Sequence, residues 1–129
     1  MEILKVVAGI YIKDGLCLTS VRNDDQSHAG CYEFPGGKVE SCETKAQALM
    51  REWREELAVA FGSARDLITV QHDYTNYSVN VSFMQVFDVV GEPVGAEGQT
   101  IVWQPIQELH VLKWMPANLR AVEYLQKNF

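Results

Sequence analysis

Alternating apolar and polar positions predict strands in the first third of the chain. Segment 4–13 alternates and is rich in Val and Ile, as half-buried strands are. Asp14-Gly15 is a hairpin turn signal, and segment 16–21 is the expected returning strand. A polar, turn-rich loop is expected over 23–30. A short strand over 31–34 should then end at Pro35-Gly36-Gly37.

The periodicity changes to that of a helix after residue 43. Thr44 followed by Gln47 is a capping-box pattern, and good helix formers follow it. Apolar residues then recur at intervals of three and four, so one face of this helix should pack against the core. The residues of that stripe are Ala46, Leu49, Met50, Trp53 and Leu57.

The second half of the chain predicts more strands and a closing helix. Segments 67–74, 78–87 and 101–104 have strand character, and a loop with three glycines spans 91–99. A helix is expected over 117–127, with Leu119, Val122 and Leu125 facing inward. Mixed strands with two helices indicate the α/β class, an α/β sandwich around a mixed sheet. A chain of 129 residues suits one domain over 1–129.

The composition of the chain limits the cellular environment and the binding partners to be expected. The residues are 47% hydrophobic and 22% charged, and no apolar run reaches the ~20 residues of a membrane span. The N-terminus lacks signal-peptide features, so we expect a cytoplasmic protein without membrane contact. Cys17, Cys31 and Cys42 form no C-x-x-C pair, which favours reduced thiols over a disulfide framework or a zinc site. A net charge of −6 argues against stable nucleic-acid binding, and we expect a monomer acting on a small molecule.

The helix after residue 44 carries the residues that indicate chemistry. Glu52, Glu55 and Glu56 stand at i, i+3 and i+4, so they share one face, where like charges repel. The last two also lie near the helix C-terminus, where the macrodipole disfavours anions. A divalent cation would relieve both conflicts, and oxygen ligands suit Mg²⁺ or Mn²⁺. The alternative is a solvated acidic face paired with Arg51 and Arg54, and the three glutamates alone do not decide between them.

The spacing around these acids closely resembles the Nudix box, G-x5-E-x7-R-E-U-x-E-E-x-G-U. Its six fixed positions are matched by Gly37, Glu43, Arg51, Glu52, Glu55 and Glu56. Two positions depart from the pattern: Trp53 replaces an aliphatic residue and Ala58 replaces a glycine. Because Ala enters the left-handed backbone region less readily than Gly, the turn after the helix is expected to differ.

The resemblance extends to the MutT branch of this family. Segments 33–38 (Glu-Phe-Pro-Gly-Gly-Lys), 91–93, 97–99 and 116–118 (Pro-Ala-Asn) are similar to that branch. The resemblance implies an α/β/α sandwich with a mixed sheet. It also implies Mg²⁺-dependent hydrolysis of a nucleoside triphosphate to the monophosphate and pyrophosphate, with Mn²⁺ able to substitute.

The resemblance also assigns roles to individual residues. The metal ligands it implies are Glu52, Glu55, Glu56, Glu97 and the Gly36 carbonyl. Its catalytic group comprises Glu52, Glu97 and Arg51, with the general base left open between the two glutamates. Glu43 is a structural residue of the motif that braces the loop and helix together with Arg51. The substrate-binding residues are Arg22, Phe34, Gly37, Lys38 and Asn118.

Asn118 bears on the choice of base. A side-chain amide offers both an acceptor and donors, whereas ordinary guanine presents two acceptors, O6 and N7. In 8-oxoguanine N7 carries a hydrogen, so one amide can satisfy both groups. The alternative is a helix N-cap before Leu119. Asn118 alone does not decide between these two roles, but segment 116–118 resembles the MutT branch. The resemblance therefore implies hydrolysis of 8-oxo-dGTP, which protects replication from an oxidised nucleotide. A pyrophosphohydrolase acting on CTP, modified dCTP or other triphosphates, and a catalytically silent nucleotide sensor, are the alternatives.

Overall fold

The structure, a computed structural model, describes residues 2–24 and 26–129, so Met1 and Asp25 (the latter in the loop expected over 23–30) lie outside the described residues. Its larger sheet has four strands in the order β5-β1-β7-β6. These strands are β1 (Glu2–Ile10), β5 (Gly36–Lys38), β6 (Ala60–Asp73) and β7 (Tyr77–Val90). Strand β1 runs parallel to β7, and the other pairs are antiparallel, so the sheet is mixed.

A second sheet is built on β3. Its strands are β2 (Ile12–Lys13), β3 (Leu16–Val21), β4 (Tyr32–Glu33) and β8 (Thr100–Pro105). Strand β8 pairs with β3 over its whole length, while β2 and β4 pair with opposite ends of β3. This arrangement brings segment 32–38, which links the two sheets, against the centre of the molecule.

Two helices cover opposite faces of the larger sheet. Helix α1 spans Lys45–Leu57 and helix α2 spans Leu119–Asn128. Adjacent residues of a strand point to opposite faces, and accordingly Val7 packs in a core with α1 while Ala8 packs in a core with α2. The expected α/β/α sandwich with a mixed sheet is confirmed. Neither helix in the described ranges has the length and apolar character required to cross a membrane.

Several predicted elements are confirmed, and some boundaries were wrong. The Thr44–Gln47 capping box is formed in both directions. Within α1, Ala46 is exposed and Ala48 is buried instead, so the buried stripe begins two residues later than expected. In α2, Leu119 is 49% exposed because the inward face is built from Ala121, Val122 and Leu125.

The strand at Gly36–Lys38 was not expected, because Pro-Gly-Gly indicated only a strand end. Gly36 permits pairing with β1 at a distance that a side chain would prevent. A Cβ on Gly36 would lie 1.9 Å from the Val7 carbonyl oxygen. Segment 36–38 therefore joins the edge of β1 and carries the start of the motif directly onto the larger sheet.

Candidate active site

Helix α1 ends in a left-handed turn at Ala58. The backbone of Ala58 has φ 58° and ψ 35°, the conformation that glycine adopts most easily. The expectation that this turn would differ was wrong. Packing and hydrogen bonding around the helix end hold the turn in place, although the left-handed backbone costs an alanine about 1–2 kcal/mol.

Arg51 ties α1 to the segment before it. Its Nε and Nη2 donate to the two carboxylate oxygens of Glu43 at 2.8 and 3.0 Å, and Nη2 also donates to the Lys38 carbonyl at 3.0 Å. Its Nη1 donates to Glu52 Oε1 at 2.8 Å. The hydrogen bond from Arg51 is the main reason that the pKa of Glu43 lies below its ordinary value. One guanidinium thus fixes the loop, the helix and one motif carboxylate together.

Glu56 is the least satisfied acid of the helix. Its Oε2 is buried and has no hydrogen-bond partner within residues 2–24 and 26–129. Burial, and then the nearby carboxylates of Glu52, Glu33, Glu97 and Glu55, raise its pKa to about 9. A buried carboxylate oxygen without a partner, surrounded by other acids, fits a site for a hard cation.

Glu52 lies against the glycine segment. A Cβ on Gly37 would come within 2.3 Å of the Glu52 carboxyl carbon, so a side chain at this position would displace the Glu52 carboxylate. Burial is the main cause of a raised pKa at Glu52, partly offset by the hydrogen bond from Arg51. Gly37 therefore serves to bring the loop backbone close to a carboxylate.

The acids are near one another without forming a ready ligand set. In the part of the chain that the structure describes, no three His, Cys, Asp or Glu side chains are grouped so that they could hold a metal ion. Glu52 is paired with Arg51, and the side chain of Glu55 is 55% exposed and 4.0 Å from the same guanidinium. Glu97 stands on an exposed loop, although its charge contributes to the raised pKa of both Glu52 and Glu56.

The loop that carries Glu97 is attached to the end of α1. The Glu56 carbonyl accepts from the Ala96 N–H at 2.9 Å and from Gln99 Nε2 at 2.8 Å. The Leu57 carbonyl accepts from the Val94 N–H at 3.1 Å. These bonds satisfy carbonyls that a helix end leaves unpaired. They also hold Glu97 on the same side of the molecule as the helix acids.

A cavity of about 260 Å³ opens beside these acids, between segment 33–37 and the start of α2. Glu56, Gly36 and Gly37 line it, as do Arg22, Phe34 and Asn118. Six residues expected at the site therefore share one cavity, although they come from four separate parts of the chain. Lys38 does not line it; its backbone carbonyl is engaged by Arg51.

Asn118 is held firmly at this cavity. It is 7% exposed; its Oδ1 accepts from the Phe34 N–H at 3.3 Å, and its Nδ2 donates to the Met115 carbonyl at 3.3 Å. A donor on one side and an acceptor on the other fix which way the amide points. Although Asn118 precedes α2, its side chain makes no capping bond to that helix. The N-cap interpretation is therefore not supported.

Phe34 belongs chiefly to the core around the cavity. It is 3% exposed, and its ring stacks on Trp114 with centroids 4.6 Å apart. Its backbone N–H reaches Asn118, so the residue contributes to the site through its main chain as much as through its ring. Arg22, which was expected near the phosphates, donates to Glu33 at 3.0 Å and to the Ser27 carbonyl at 2.7 Å.

Sequence reasoning missed several residues of this cavity. Glu33 lines it with a pKa raised mainly by burial, and Tyr74 and Tyr77 form a stacked pair with centroids 5.2 Å apart. The Tyr74 hydroxyl accepts from the Ala117 N–H at 3.2 Å, next to Asn118. These residues belong to no recurring spacing. The signal available for the two tyrosines was their position where the predicted strands 67–74 and 78–87 meet.

Comparison with known proteins agrees with this geometry. The model of the NUDIX domain family matches residues 6–124. An 8-oxo-dGTP diphosphatase of Haemophilus influenzae is 34% identical over 96% of this chain and 92% of its own length. A CTP pyrophosphohydrolase of Escherichia coli is 32% identical over 95% of this chain and 91% of its own. A solved MutT structure from work on Aliivibrio salmonicida and Vibrio cholerae has a TM-score of 0.84 at 30% identity, covering 99% of this chain and all of that one.

An α/β/α sandwich with an acidic helix end beside a cavity, together with a family match over nearly the whole chain, defines the class. The chain belongs to the Nudix family. More narrowly, it is a MutT-like Nudix hydrolase, an enzyme that cleaves phosphoric anhydrides. Members of this family generally require a divalent metal ion.

Proposed function

We propose that this enzyme hydrolyses 8-oxo-dGTP to 8-oxo-dGMP and pyrophosphate with Mg²⁺, and so removes an oxidised nucleotide from the replication pool. The observation that carries the proposal is the shared cavity, which has Glu56 on its wall together with a buried, oriented Asn118. A nucleotide with its phosphates toward the acids would bring its base toward the amide. The Haemophilus influenzae relative bears the name of this activity.

The hydrogen-bonding groups of Asn118 that the protein leaves unused support the choice of base. Its bonds to Phe34 and Met115 leave one amide N–H and one lone pair of Oδ1 for a ligand. O6 and the N7 hydrogen of 8-oxoguanine would satisfy both. With ordinary guanine, the N7 lone pair would face the Oδ1 lone pair. Because the flanking bonds prevent the amide from flipping, the mismatch could not be relieved, and a large preference for the oxidised base follows.

The acidic residues fit a divalent cation. Glu56, whose buried Oε2 has no partner in the described part of the chain, would be a ligand, and Glu52, Glu55, Glu97 and the Gly36 carbonyl would complete the set. Mg²⁺ is the ion proposed, with Mn²⁺ as a substitute, because all donors are oxygens. When bound, such ions neutralise phosphate charge and increase the acidity of water.

The other residues of the site would position the motif and the substrate or accept a proton. Arg51 would keep Glu43, Glu52 and the Lys38 backbone in register, so that segment 36–38 stays against α1. Glu52 or Glu97 would accept the proton of the attacking water. Gly37 would let the substrate and the loop backbone approach the carboxylates closely. Arg22 and Lys38 would supply positive charge near the phosphates. Phe34 would pack against the base.

Hydrolysis of CTP or a modified dCTP is the second candidate. The observation in its favour is the Escherichia coli CTP pyrophosphohydrolase, which is nearly as similar to this chain as the first relative. Cytosine also presents a donor beside an acceptor, N4–H and N3, so the unused N–H and Oδ1 lone pair of Asn118 could satisfy that edge too. The smaller pyrimidine would leave more of the cavity unfilled.

The deciding experiment compares substrates under one condition. We would measure kcat/KM for 8-oxo-dGTP, dGTP, CTP and the other dNTPs with Mg²⁺, and identify pyrophosphate or phosphate as the product. The proposal requires a preference for 8-oxo-dGTP over dGTP of roughly 10³-fold or more, with pyrophosphate released. Equal rates on the two guanine nucleotides would refute the sanitising role, and CTP as best substrate would support the second candidate. Binding without turnover of any nucleotide would indicate a sensor.

The proposed setting is a cytoplasmic monomer of one domain that binds free nucleotides and does not bind nucleic acid stably. The net charge of −6 supports the last point, since polyanions would be repelled. Light scattering after gel filtration tests the monomer, and retention of labelled DNA on the protein at low salt would contradict the expected lack of nucleic-acid binding.

A further inference from the structure

Trp53 departs from the family pattern and makes a hydrogen bond that an aliphatic residue could not make. It is fully buried on α1, directly after Glu52. Its indole Nε1 donates to the Pro35 carbonyl at 2.8 Å, in the segment opposite the helix. Leu, Ile or Val at this position would pack in the same core but could donate no hydrogen bond.

The Pro35 carbonyl is held from two sides. Besides the indole, the Gly9 N–H of β1 donates to it at 2.8 Å. The next residue, Gly36, pairs with Ala8 of β1, and Gly37 lies against the Glu52 carboxylate. Neighbouring residues of α1, Glu52 and Trp53, therefore hold neighbouring parts of the glycine segment, one by contact and one by a hydrogen bond.

Gly9 leaves the space that the indole occupies. A Cβ on Gly9 would lie 2.4 Å from Trp53 Cζ2 and 2.7 Å from Cε2, inside any tolerable contact. The rest of the ring is enclosed by Tyr11 and Phe61, with centroids at 6.3 and 5.8 Å. Because the ring is enclosed on several sides, it cannot turn away, and its N–H stays directed at Pro35.

We propose that Trp53 is a positioning residue: its indole N–H fixes the Pro35–Gly36 peptide, so that the Gly36 carbonyl is presented to the metal beside the acidic end of α1. This inference rests on the proposed function for the role of the Gly36 carbonyl. Gly9 is the second half of the arrangement, since it supplies both the space for the indole and the other hydrogen bond to Pro35.

The first test separates the hydrogen bond from the packing. Trp53→Phe keeps an aromatic ring and removes the donor, while Trp103→Phe alters another tryptophan that packs on Tyr11, at 5.1 Å, without contacting Pro35. We expect Trp53→Phe to weaken Mn²⁺ binding to the nucleotide-free protein about 3- to 10-fold by calorimetric titration. The rate constant kcat should fall by a similar factor, with little change in KM. Trp103→Phe should change neither.

A second test uses Gly9. Trp53→Leu leaves a space that Gly9→Ala can partly fill, so the double variant should recover part of the melting temperature lost in Trp53→Leu. It should not recover Mn²⁺ affinity, because no donor has been restored. Gly9→Ala alone should destabilise the wild-type protein. If Trp53→Phe binds Mn²⁺ like the wild type, or if the double variant recovers metal affinity together with stability, Trp53 acts only by packing and the proposal is wrong.

A spectroscopic readout keeps this test independent of the proposed function. The amide resonances of Gly36 and Gly37 in an ¹⁵N correlation spectrum of the metal-free protein should shift in Trp53→Phe and remain in place in Trp103→Phe. Unmoved resonances would refute the positioning role. If the wild-type protein bound no Mn²⁺ and turned over no nucleotide, the proposed function would fail, while these shifts would still report whether Trp53 fixes the segment.

Discussion

The two ends of the cavity differ in how far their polar groups are paired within the protein. At the acidic helix end (Arg51, Glu52, Glu55 and Glu56), where Glu56 reaches the cavity wall, neighbouring carboxylates raise the pKa of Glu56, and its buried Oε2 has no hydrogen-bond partner among the residues that the structure describes. At the base end (Phe34, Tyr74, Ala117 and Asn118), each polar group that faces the cavity is held by a hydrogen bond within the protein. We call the first region the incomplete end, because a buried carboxylate oxygen of Glu56 is left for the proposed cation. The second is the organised end, which under the proposed function would select the base.

The largest expected effect tests the incomplete end. Glu56→Gln keeps the shape of the side chain and removes the charge that a cation requires. We expect kcat for the best nucleotide to fall by roughly 10²-fold or more, because electrostatic stabilisation of the phosphates is lost. The fold should remain intact by circular dichroism. Glu123→Gln, an exposed glutamate on α2, is the control and should retain wild-type rates. Wild-type turnover in Glu56→Gln would remove that residue from the metal site.

The next effect tests the organised end. Asn118→Ala removes the amide that would read the base, and we expect the preference for 8-oxo-dGTP over dGTP to fall by about tenfold or more. The loss also leaves the Phe34 N–H without its acceptor, at a cost of about 1–3 kcal/mol in stability. Asn128→Ala, which removes an exposed bond to Tyr124, is the control. Unchanged base selectivity in a folded Asn118→Ala protein would show that the residue is structural only.

The pH dependence of stability distinguishes the two ends without any substrate. In the metal-free protein the pKa of Glu56 is raised from 4.5 to about 9, because burial and its acidic neighbours disfavour the charge. The folded state therefore holds this proton more tightly than the unfolded state. Its contribution to stability is complete below about pH 4.5 and is lost as the pH rises toward 9. The pKa values of Glu52 and Glu33 are also raised, mainly by burial, so these residues likewise make the folded state less stable as the pH rises.

We therefore expect the melting temperature of the metal-free protein to fall by about 5 °C or more between pH 5.5 and 8.5. Added Mg²⁺ or Mn²⁺ should reverse the fall at the upper pH, since a bound cation favours the charged form. In Glu56→Gln the fall should be smaller, and in Asn118→Ala it should match the wild type. A melting temperature that does not vary with pH in the metal-free protein would mean that the acidic helix end is already satisfied.

The two ends also differ in how far the sequence could predict them. The acidic helix end lies on one helix, so its spacing, capping box and shared face follow from residues within a single segment. The base end gathers residues from positions 34, 74 and 117–118, which only the folded chain brings together. No local pattern indicates that Tyr74 supports the backbone beside Asn118, or that Glu33 pairs with Arg22 at the cavity wall.

The errors in the predicted elements have the same origin. Pro35-Gly36-Gly37 was interpreted as the end of a strand because glycine and proline often terminate strands, yet Gly36 pairs with Ala8 because β1 offers an edge for it. Leu119 was expected to face inward from its spacing, but the inward face of α2 is set by the sheet that it covers. In both cases tertiary contacts decided between local options that periodicity left nearly equal.

The smallest expected effect concerns Ala58, where the acidic helix end departs from its own motif. Ala58→Gly should raise the free energy of unfolding by about 1 kcal/mol, because a left-handed backbone costs alanine and not glycine. This corresponds to a rise in melting temperature of about 3–4 °C, measured by calorimetry. Ala96→Gly, at a nearby position without positive φ, should instead lower it. The Glu56 and Leu57 carbonyls are already held by the 94–99 loop, so kcat should not change in Ala58→Gly. If kcat did change, the strained turn would itself set the position of the acids, and the incomplete end would be organised before any cation binds, as the base end is.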